Sequence, residues 1–462
     1  MSDDFDLVVI GCGAAGLSAA VSYAASAPGS RVAVLERSAE AERGGATRYT
    51  GAWFKVTEDR RLDPKFVGEM EEYSRGLADL VYCQTLEREV PTTLDFLEAN
   101  GVNLIYVQQG FANNNTGGGL GMPTQGGLEI VDALAAVVEG TDGAEILYET
   151  EAVRLSVSDD GRVDGVVVRG GDGLLRRLGA RAVVIASGGF EGNQRMLTQY
   201  LGERAVDMPL IAPGVGNNRG DGLRMVIDIG GDTSGQFDMF HAEPVDPRTS
   251  HPDAVLYGFP YGILVNGRAE RFFDEGQDTL DETFEALGYE IWKHQDQTAF
   301  FIADQTFVEL EGVEQLVLTD LPPVSAPTIA ELAVELGLDP AALSDTVSRF
   351  NAAVGPGEFD PKVRDGKRTI GLDPPKSNWA YRIERAPYIA FPLTCAVNFT
   401  FGGVRTDEHA RVVTPRGTPI PGLYAAGEVT GIYYHKYPVG TSVLRASTFG
   451  RLAGAHAAAA PT

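Results

Sequence analysis

Hydrophobic positions are distributed differently in the two halves of the chain. Residues 5–10 form a short apolar run ending Leu7-Val8-Val9-Ile10, which predicts a buried strand. A glycine-rich turn, Gly11-Cys12-Gly13-Ala14-Ala15-Gly16, follows directly, and residues 17–27 continue as an alanine-rich, helix-like stretch. A second apolar run, Arg31-Val32-Ala33-Val34-Leu35, ends on Glu36. Alternation over 145–168 and 181–185, around the turn Asp159-Asp160-Gly161, predicts a β-rich flank. From about 235 to 354 the pattern becomes mixed, with short strands and amphipathic helices at 329–336 and 340–350, and Gly355-Pro356-Gly357-Glu358 reads as a linker.

Strand, tight glycine turn and helix in that order form the context of a dinucleotide fingerprint. Gly11 permits the turn, Gly13 lets the backbone approach a pyrophosphate, and Gly16 lets helix and strand pack closely. The helix start at Ala14 and Ala15 offers N–H groups and a positive dipole end to phosphates. Glu36, 25 residues after Gly11, stands where a carboxylate holds ribose hydroxyls. One such turn among 56 glycines is weak evidence, and NAD fits it as well as FAD. Two later segments separate them. An NAD dehydrogenase continues into another βα unit, whereas here the polar loop Arg43-Gly44-Gly45-Ala46-Thr47-Arg48-Tyr49-Thr50-Gly51 follows, suited to a ribityl chain and a flavin ring. Near the C-terminus, residues 418–428 read as a turn, a short strand and a second glycine–acid pair, Gly427-Glu428, which completes an FAD site of the two-dinucleotide-binding-domain type.

Charge and cysteine usage narrow the classes. The formal net charge is −26, with 64 acidic and 38 basic residues spread along the chain, which opposes nucleic acids and anionic lipid surfaces. Cys12, Cys83 and Cys395 are far apart, so disulfide, iron–sulfur and zinc frameworks lack support and no metal is expected. The start, Met1-Ser2-Asp3-Asp4, lacks the basic region of a signal peptide, and no apolar run is long enough for membrane insertion, so the expected location is cytoplasmic.

Taken in order, the motifs resemble the fumarate reductase and succinate dehydrogenase flavoprotein family, in particular its tricarballylate dehydrogenase-like branch. The resemblance runs from Phe5 to about Ala455. After the glycine turn and the Gly44-Gly45 loop come Ala186-Ser187-Gly188-Gly189-Phe190-Glu191-Gly192-Asn193, then Gly220-Asp221-Gly222, then Tyr261-Gly262-Ile263-Leu264-Val265-Asn266 with Arg271-Phe272-Phe273-Asp274-Glu275. Further blocks are Pro374-Pro375-Lys376-Ser377-Asn378-Trp379, Asn398-Phe399-Thr400-Phe401-Gly402-Gly403, Gly427-Glu428, and Gly440-Thr441-Ser442-Val443-Leu444-Arg445. The family implies an α/β (mixed α+β) fold: a Rossmann-like FAD-binding domain in two parts, 1–234 and 355–462, interrupted by a smaller α+β capping domain at 235–354. The implied cofactor contacts are Gly11, Gly13, Ala14, Ala15, Gly16, Glu36, Arg37, Gly44, Gly45, Ala46, Thr47, Thr50, Gly51, Ala152, Ala186, Ser187, Gly188, Asn193, Asp221, Gly427, Glu428, Thr441, Ser442 and Val443. Backbone amides around 440–442 match those that face the flavin O2/N1 edge. The loop 46–54 carries no histidine for covalent attachment, so FAD is expected to be non-covalent.

The resemblance also implies chemistry: hydride transfer between flavin N5 and a carbon beside a carboxylate or carbonyl. Such chemistry needs donors for the activating group, a proton carrier and a dry cavity. Fumarate reductases place an arginine, a histidine and a second arginine where this chain has Thr279 or its neighbours, Phe399 and Tyr437. Fumarate reduction is therefore not expected, and the first expectation is desaturation of a tricarballylate-like acid. Tyr437-Pro438 also resembles the 3-ketosteroid dehydrogenases, where a tyrosine hydroxyl and a glycine amide polarise a ketone. This keeps a cyclic-ketone dehydrogenase or ene-reductase open, beside a non-catalytic flavin or electron-transfer protein. The catalytic candidates are Tyr437, His435, His241 and Arg445, and the substrate-binding candidates are Arg48, Tyr261, Phe399, Tyr437 and Gly440. Arginines are expected where carboxylates are gripped bidentately. The expected partners are a small carboxylic acid or ketone and an unidentified electron acceptor or donor.

Overall fold

The computed structural model describes residues 4–108 and 119–461, so the start Met1-Ser2-Asp3 lies outside it. The first apolar run is strand β1 (Asp4–Ile10), the alanine-rich stretch is helix α1 (Ala14–Ser26), and the second run is strand β2 (Val32–Leu35). β1 and β2 pair in parallel, Leu7 opposite Val32 and Ile10 opposite Leu35. Strands covered on both faces need no polar positions, which is why these sequences are nearly continuous apolar runs. On the other side of β1 lies Leu175–Ile185, with Val9 opposite Val184, and beyond it Pro419–Ala425, with Leu423 opposite Val183, both parallel. The distant C-terminal segment thus joins the same sheet, and the carboxyl ends of its parallel strands share one edge, where open α/β sheets bind ligands. Glu151–Val157 and Val163–Arg169 form the expected antiparallel flank across the turn at 158–162.

Small residues set how closely the helices approach this sheet and each other. A Cβ on Gly16 would lie 1.9 Å from the carbonyl oxygen of Gly11, so α1 can leave the strand at this angle only with glycine there. The C-terminal helix, Ser442–Ala459, lies against α1 backbone to backbone. Its Gly450 and Gly454 would each place a Cβ 2.2 Å from a carbonyl oxygen of α1, Ala15 and Ala19 respectively. Gly427, at φ +80°, fits beside Ala15 at the start of α1 and Ala446 in the first turns of the C-terminal helix. Both helix starts are therefore brought to the same edge of the sheet.

The second sheet reaches across the boundary expected at 354. Its strands are Phe240–Val245, Tyr388–Thr400, Ala299–Ala303 and Ile263–Asn266, with Val324–Ala326 also paired to Tyr388–Thr400. The unit that interrupts the nucleotide fold therefore runs past 354 to Thr400, and the glycine–proline stretch at 355–358 is an internal connection. Pro392, in mid-strand opposite Phe300, hides this strand from pattern reading, because proline argues against a strand interior. Two of the family-like blocks meet here and knit the unit together. Arg271 pairs with Glu275 at 2.6 Å, and buried Lys376 donates to the Pro260 and Gly262 carbonyls at 2.6 and 2.9 Å. Burial pushes the Lys376 ammonium down to about 8, and these carbonyls use its protons. No helix among the described residues is long and apolar enough to cross a membrane.

Candidate active site

One cavity runs along the carboxyl edge of the first sheet and ends against the second sheet. At its first end the backbone forms the wall. Gly11 has φ +108°, and a Cβ there would lie 2.3 Å from the Ala186 carbonyl oxygen. The Ala14 N–H donates to Thr47 Oγ1 at 3.1 Å, which fixes the Gly44–Thr47 loop across the start of α1. Glu36 is buried at the end of β2, and its Oε1 accepts the Ser38 N–H at 2.8 Å. Burial pushes the Glu36 carboxyl up, opposed by hydrogen bonds from Ser38 and the Cys12 backbone. Arg37 pairs with Glu151 and with Asp221, and donates to the Asn217 carbonyl at 2.8 Å. The Cys12 thiol is pushed up by burial, which leaves it an uncharged spacer.

Midway, Glu428 forms a buried pair with Glu191. The amide of Asn218 donates to Glu191 at 2.6 Å and to Glu428 at 3.2 Å, and the Thr400 N–H reaches Glu428 at 3.1 Å. Burial and the neighbouring Glu428 charge hold the Glu191 carboxyl well above its usual range, and burial pushes the Glu428 carboxyl up as well.

The far end is different in kind. His241, on Phe240–Val245, is buried between two carboxylates, with Nδ1 3.0 Å from Glu285 and Nε2 3.0 Å from Glu243. Burial alone disfavours a charged ring, but these two hydrogen bonds outweigh it and raise His241 to about 10. Asn398 donates to Glu243 Oε1 at 2.8 Å, and Glu243 Oε2 has no hydrogen-bond partner among the described residues. Asp253, Tyr257, Phe284, Phe399 and Tyr437 complete this end. The Tyr437 ring stands edge-on to His241, with centroids 4.6 Å apart. Its hydroxyl oxygen accepts the Thr441 and Ser442 N–H groups, both at 2.8 Å, which leaves the hydroxyl hydrogen to donate. Among the described residues no lysine or arginine stands in this group.

The family described as FAD binding domain matches residues 6–444. The chain belongs to this flavoprotein family, that of the fumarate reductases and succinate dehydrogenases. It is 33% identical over 345 residues to an NADH:acrylate oxidoreductase of Vibrio harveyi, covering 71% of this chain and 32% of the relative. It is 32% identical to 4-oxocyclohexanecarboxylate 2-dehydrogenase of Sinomonas cyclohexanicum, covering 72% of this chain and 61% of that one. The chain thus spans about a third of the first relative and three fifths of the second. Among solved structures, a 3-ketosteroid-Δ4-(5α)-dehydrogenase from Rhodococcus jostii RHA1 matches at TM-score 0.73 and 27% identity, over 98% of this chain and 97% of that one. An open flavocytochrome c3 fumarate reductase has the same fold, at TM-score 0.80 and 24% identity, over 99% of this chain and 78% of that one.

As a member of this FAD-dependent family, the chain places most of its expected cofactor residues on the cavity wall. Gly11, Gly13, Ala14, Ala15, Glu36, Arg37, Gly44, Gly45, Ala46, Thr47, Thr50, Ala152, Ala186, Ser187, Gly188, Asp221, Gly427, Glu428, Ser442 and Val443 line it. The site fits FAD: a turn of glycines and small residues at a helix start suits a diphosphate, and a buried carboxylate at the end of β2 suits a ribose. Other residues stand back from the wall. Gly16 serves helix packing, and Gly51 lies against the Trp53 ring. Asn193 caps helix Gln194–Leu201 and holds the Arg219 carbonyl. Thr441 gives its N–H to Tyr437, so this amide and that of Ser442 meet the tyrosine where a flavin edge was expected.

The substrate-side candidates divide between the cavity wall and positions away from it. Tyr261 is fully buried and donates its hydroxyl to the Pro361 carbonyl, away from the cavity. His435 has φ +55° and is off the wall, and its neighbour Lys436 is paired with Glu282. Arg48 sits in the short helix Gly45–Tyr49, also off the wall. Arg445 does line the cavity, but it donates to the Thr430 carbonyl at 3.0 Å and hydroxyl at 2.8 Å and lies over the Tyr433 ring. Tyr437, His241, Phe399 and Gly440 all reach the cavity. Sequence reading missed Glu243, Asp253, Phe284, Asn398 and Asn218, and had singled out only His241 in the Phe240-His241-Ala242-Glu243 strand. Period-2 spacing puts His241 and Glu243 on one face, the one available signal.

Proposed function

We propose that this protein is an FAD-dependent oxidoreductase that forms or reduces a carbon–carbon double bond beside the carbonyl of a cyclic ketone. The observation that carries this reading is the His241 end of the cavity, which holds carboxyl groups, an imidazolium already engaged by two of them, and a tyrosine hydroxyl. A substrate activated by its own carboxylate would set that group among like charges there, with no free cation among the described residues of this end, at a cost of several kcal/mol in a dry site. A neutral ketone meets a donor instead. Tyr437 donates its hydroxyl hydrogen to the ketone oxygen, and Gly440, on the same wall, supplies an amide as second donor, so charge developing on that oxygen is stabilised. Ketones also appear in the names of two similar proteins, the 4-oxocyclohexanecarboxylate dehydrogenase and the ketosteroid dehydrogenase.

When bound, FAD accepts or gives the hydride. The glycine turn, Glu36 and Gly427-Glu428 hold it non-covalently, since the wall beside the Gly44–Thr47 loop offers Ala46, Thr47, Thr50, Ala52 and Trp53 but no histidine. The test is anaerobic reduction of the yellow protein by cyclohexanone, 4-oxocyclohexanecarboxylate, 4-androstene-3,17-dione and tricarballylate. Bleaching by a ketone supports the reading, and bleaching by tricarballylate alone overturns it. The second reading, a tricarballylate-like acid, draws on Arg445, a fully buried arginine that lines the cavity.

A further inference from the structure

We propose that Asp253 is the proton carrier of the reaction, the group that takes the hydrogen from the carbon beside the ketone or returns it. The proposal rests on the cyclic-ketone reading. Beside the Tyr257 and Tyr437 hydroxyls, three carboxyl groups and one histidine gather at the His241 end, and three of these four hold hydrogen bonds: His241 bridges Glu285 and Glu243, Glu285 also accepts the Tyr437 N–H at 3.1 Å, and Glu243 accepts from His241 and Asn398 through Oε1. Asp253 is the fourth. It lines the cavity, and its carboxyl has no hydrogen bond or ion pair to any described side chain.

Its backbone is held in place by other means. Asp253 has φ +59°, in the left-handed region, between its own N–H on the Ile211 carbonyl at 3.1 Å and its carbonyl on the Val255 N–H at 2.8 Å. A non-glycine residue in this conformation persists only where its surroundings enforce it, as at sites that aim a side chain. The carboxyl faces Glu243 and His241 on one strand and Tyr257 on its own segment, with Glu285 behind His241. Enclosure and the Glu243 charge raise Asp253 to about 8, with His241 opposing, which places its proton exchange near the working pH of an acid–base catalyst.

Ionised Asp253 takes the α-proton and forms a carboxyl O–H. The C–H electron pair moves towards the ketone oxygen held by Tyr437 and Gly440. The α–β double bond would form as the β-hydrogen leaves with two electrons, the hydride acceptance that FAD would supply when bound. Protonated Asp253 serves the reverse reaction, giving its proton to the α-carbon as hydride arrives at the β-carbon.

Two measurements on the FAD-loaded protein test this. The first is exchange of α-hydrogens for deuterium in D2O with cyclohexanone and 4-androstene-3,17-dione, a readout free of redox chemistry. The second is the rate of flavin bleaching by the same ketones between pH 6 and 10. Asp253→Asn should slow both by roughly 100-fold or more and remove a rise in bleaching centred near pH 8, and Asp253→Glu should restore part of each. Asp253→Gly relieves the backbone conformation and separates misfolding from lost chemistry, with FAD content and Tm as controls. Exchange and pH profile unchanged in a folded Asp253→Asn protein overturn the proposal. If only tricarballylate bleaches the flavin, the ketone reading falls, and the same variants with that acid decide Asp253 separately: an unchanged rate removes it.

Discussion

The two ends of the cavity are built by opposite means. At the nucleotide end the wall is mostly backbone, and the residues that matter are those with no side chain: Gly11, Gly13, Gly44 and Gly427. At the His241 end the wall is side chain, drawn from Phe240–Val245, the 253–257 segment, helix Leu280–His294, strand Tyr388–Thr400 and the 437–445 segment. A backbone cradle recognises a diphosphate that is always the same, so its demands are local and steric. A side-chain cavity selects a substrate, so its demands are electrostatic and distributed over the chain.

Substitutions should separate the two ends. The largest effect is expected for Gly16→Val, whose Cβ would fall 1.9 Å from the Gly11 carbonyl oxygen. The protein should lose about 3 kcal/mol or more of stability and emerge without FAD, read from its visible spectrum and Tm. A yellow, stable protein would mean that α1 can shift without cost. Next comes Tyr437→Phe, which should keep FAD yet slow ketone-dependent bleaching by roughly 100-fold, the scale of a lost donor at a reacting oxygen. A rate within twofold of the parent would remove the hydroxyl from the reaction. Glu36→Ala should act at the opposite end, raising the FAD dissociation constant by about tenfold or more, in line with hydrogen bonds to a charged group worth ~1.5–3 kcal/mol, while bleaching of FAD-saturated protein stays unchanged. Equal FAD affinity would place the ribose elsewhere.

The smallest effect is on pH-dependent stability, and it belongs to the His241 end. His241 is raised to about 10 from its ordinary 6.5, so the folded state holds a proton that the unfolded chain releases earlier. Its stabilisation is complete below about pH 6.5 and is lost as pH rises through about 10. Asp253, raised to about 8, adds a loss of the same sign at lower pH. Tm should fall between pH 7 and 10, and the fall should be shallower in His241→Gln. An identical slope in parent and variant would show that another group controls it.

What could be read from the sequence follows the same division. β1, the glycine turn, α1, β2 and Glu36 lie within 33 consecutive residues and obey local rules, so they were legible without neighbours. Gly427-Glu428 was legible because a glycine–acid pair after a short strand repeats the same chemistry. The second sheet's extent was not, since Tyr388–Thr400 carries a mid-strand proline and owes its place to partners about 100 to 150 residues earlier in the chain. Arg48, Tyr261 and His435 had suitable chemistry and motif positions, but neither property says which way a side chain points.

By itself the sequence determined the nucleotide half: a diphosphate cradle needs absent side chains at fixed spacing, and absence is visible in a string of residues. Only the tertiary structure decided the His241 half. It brought Glu243, Glu285 and Asp253 together around one histidine from separate elements, turned Arg445 towards Thr430 and Tyr433, and gave the Tyr437 oxygen two amide donors. The charge of a cavity is a sum over groups close in space, and that sum exists only once the chain has folded.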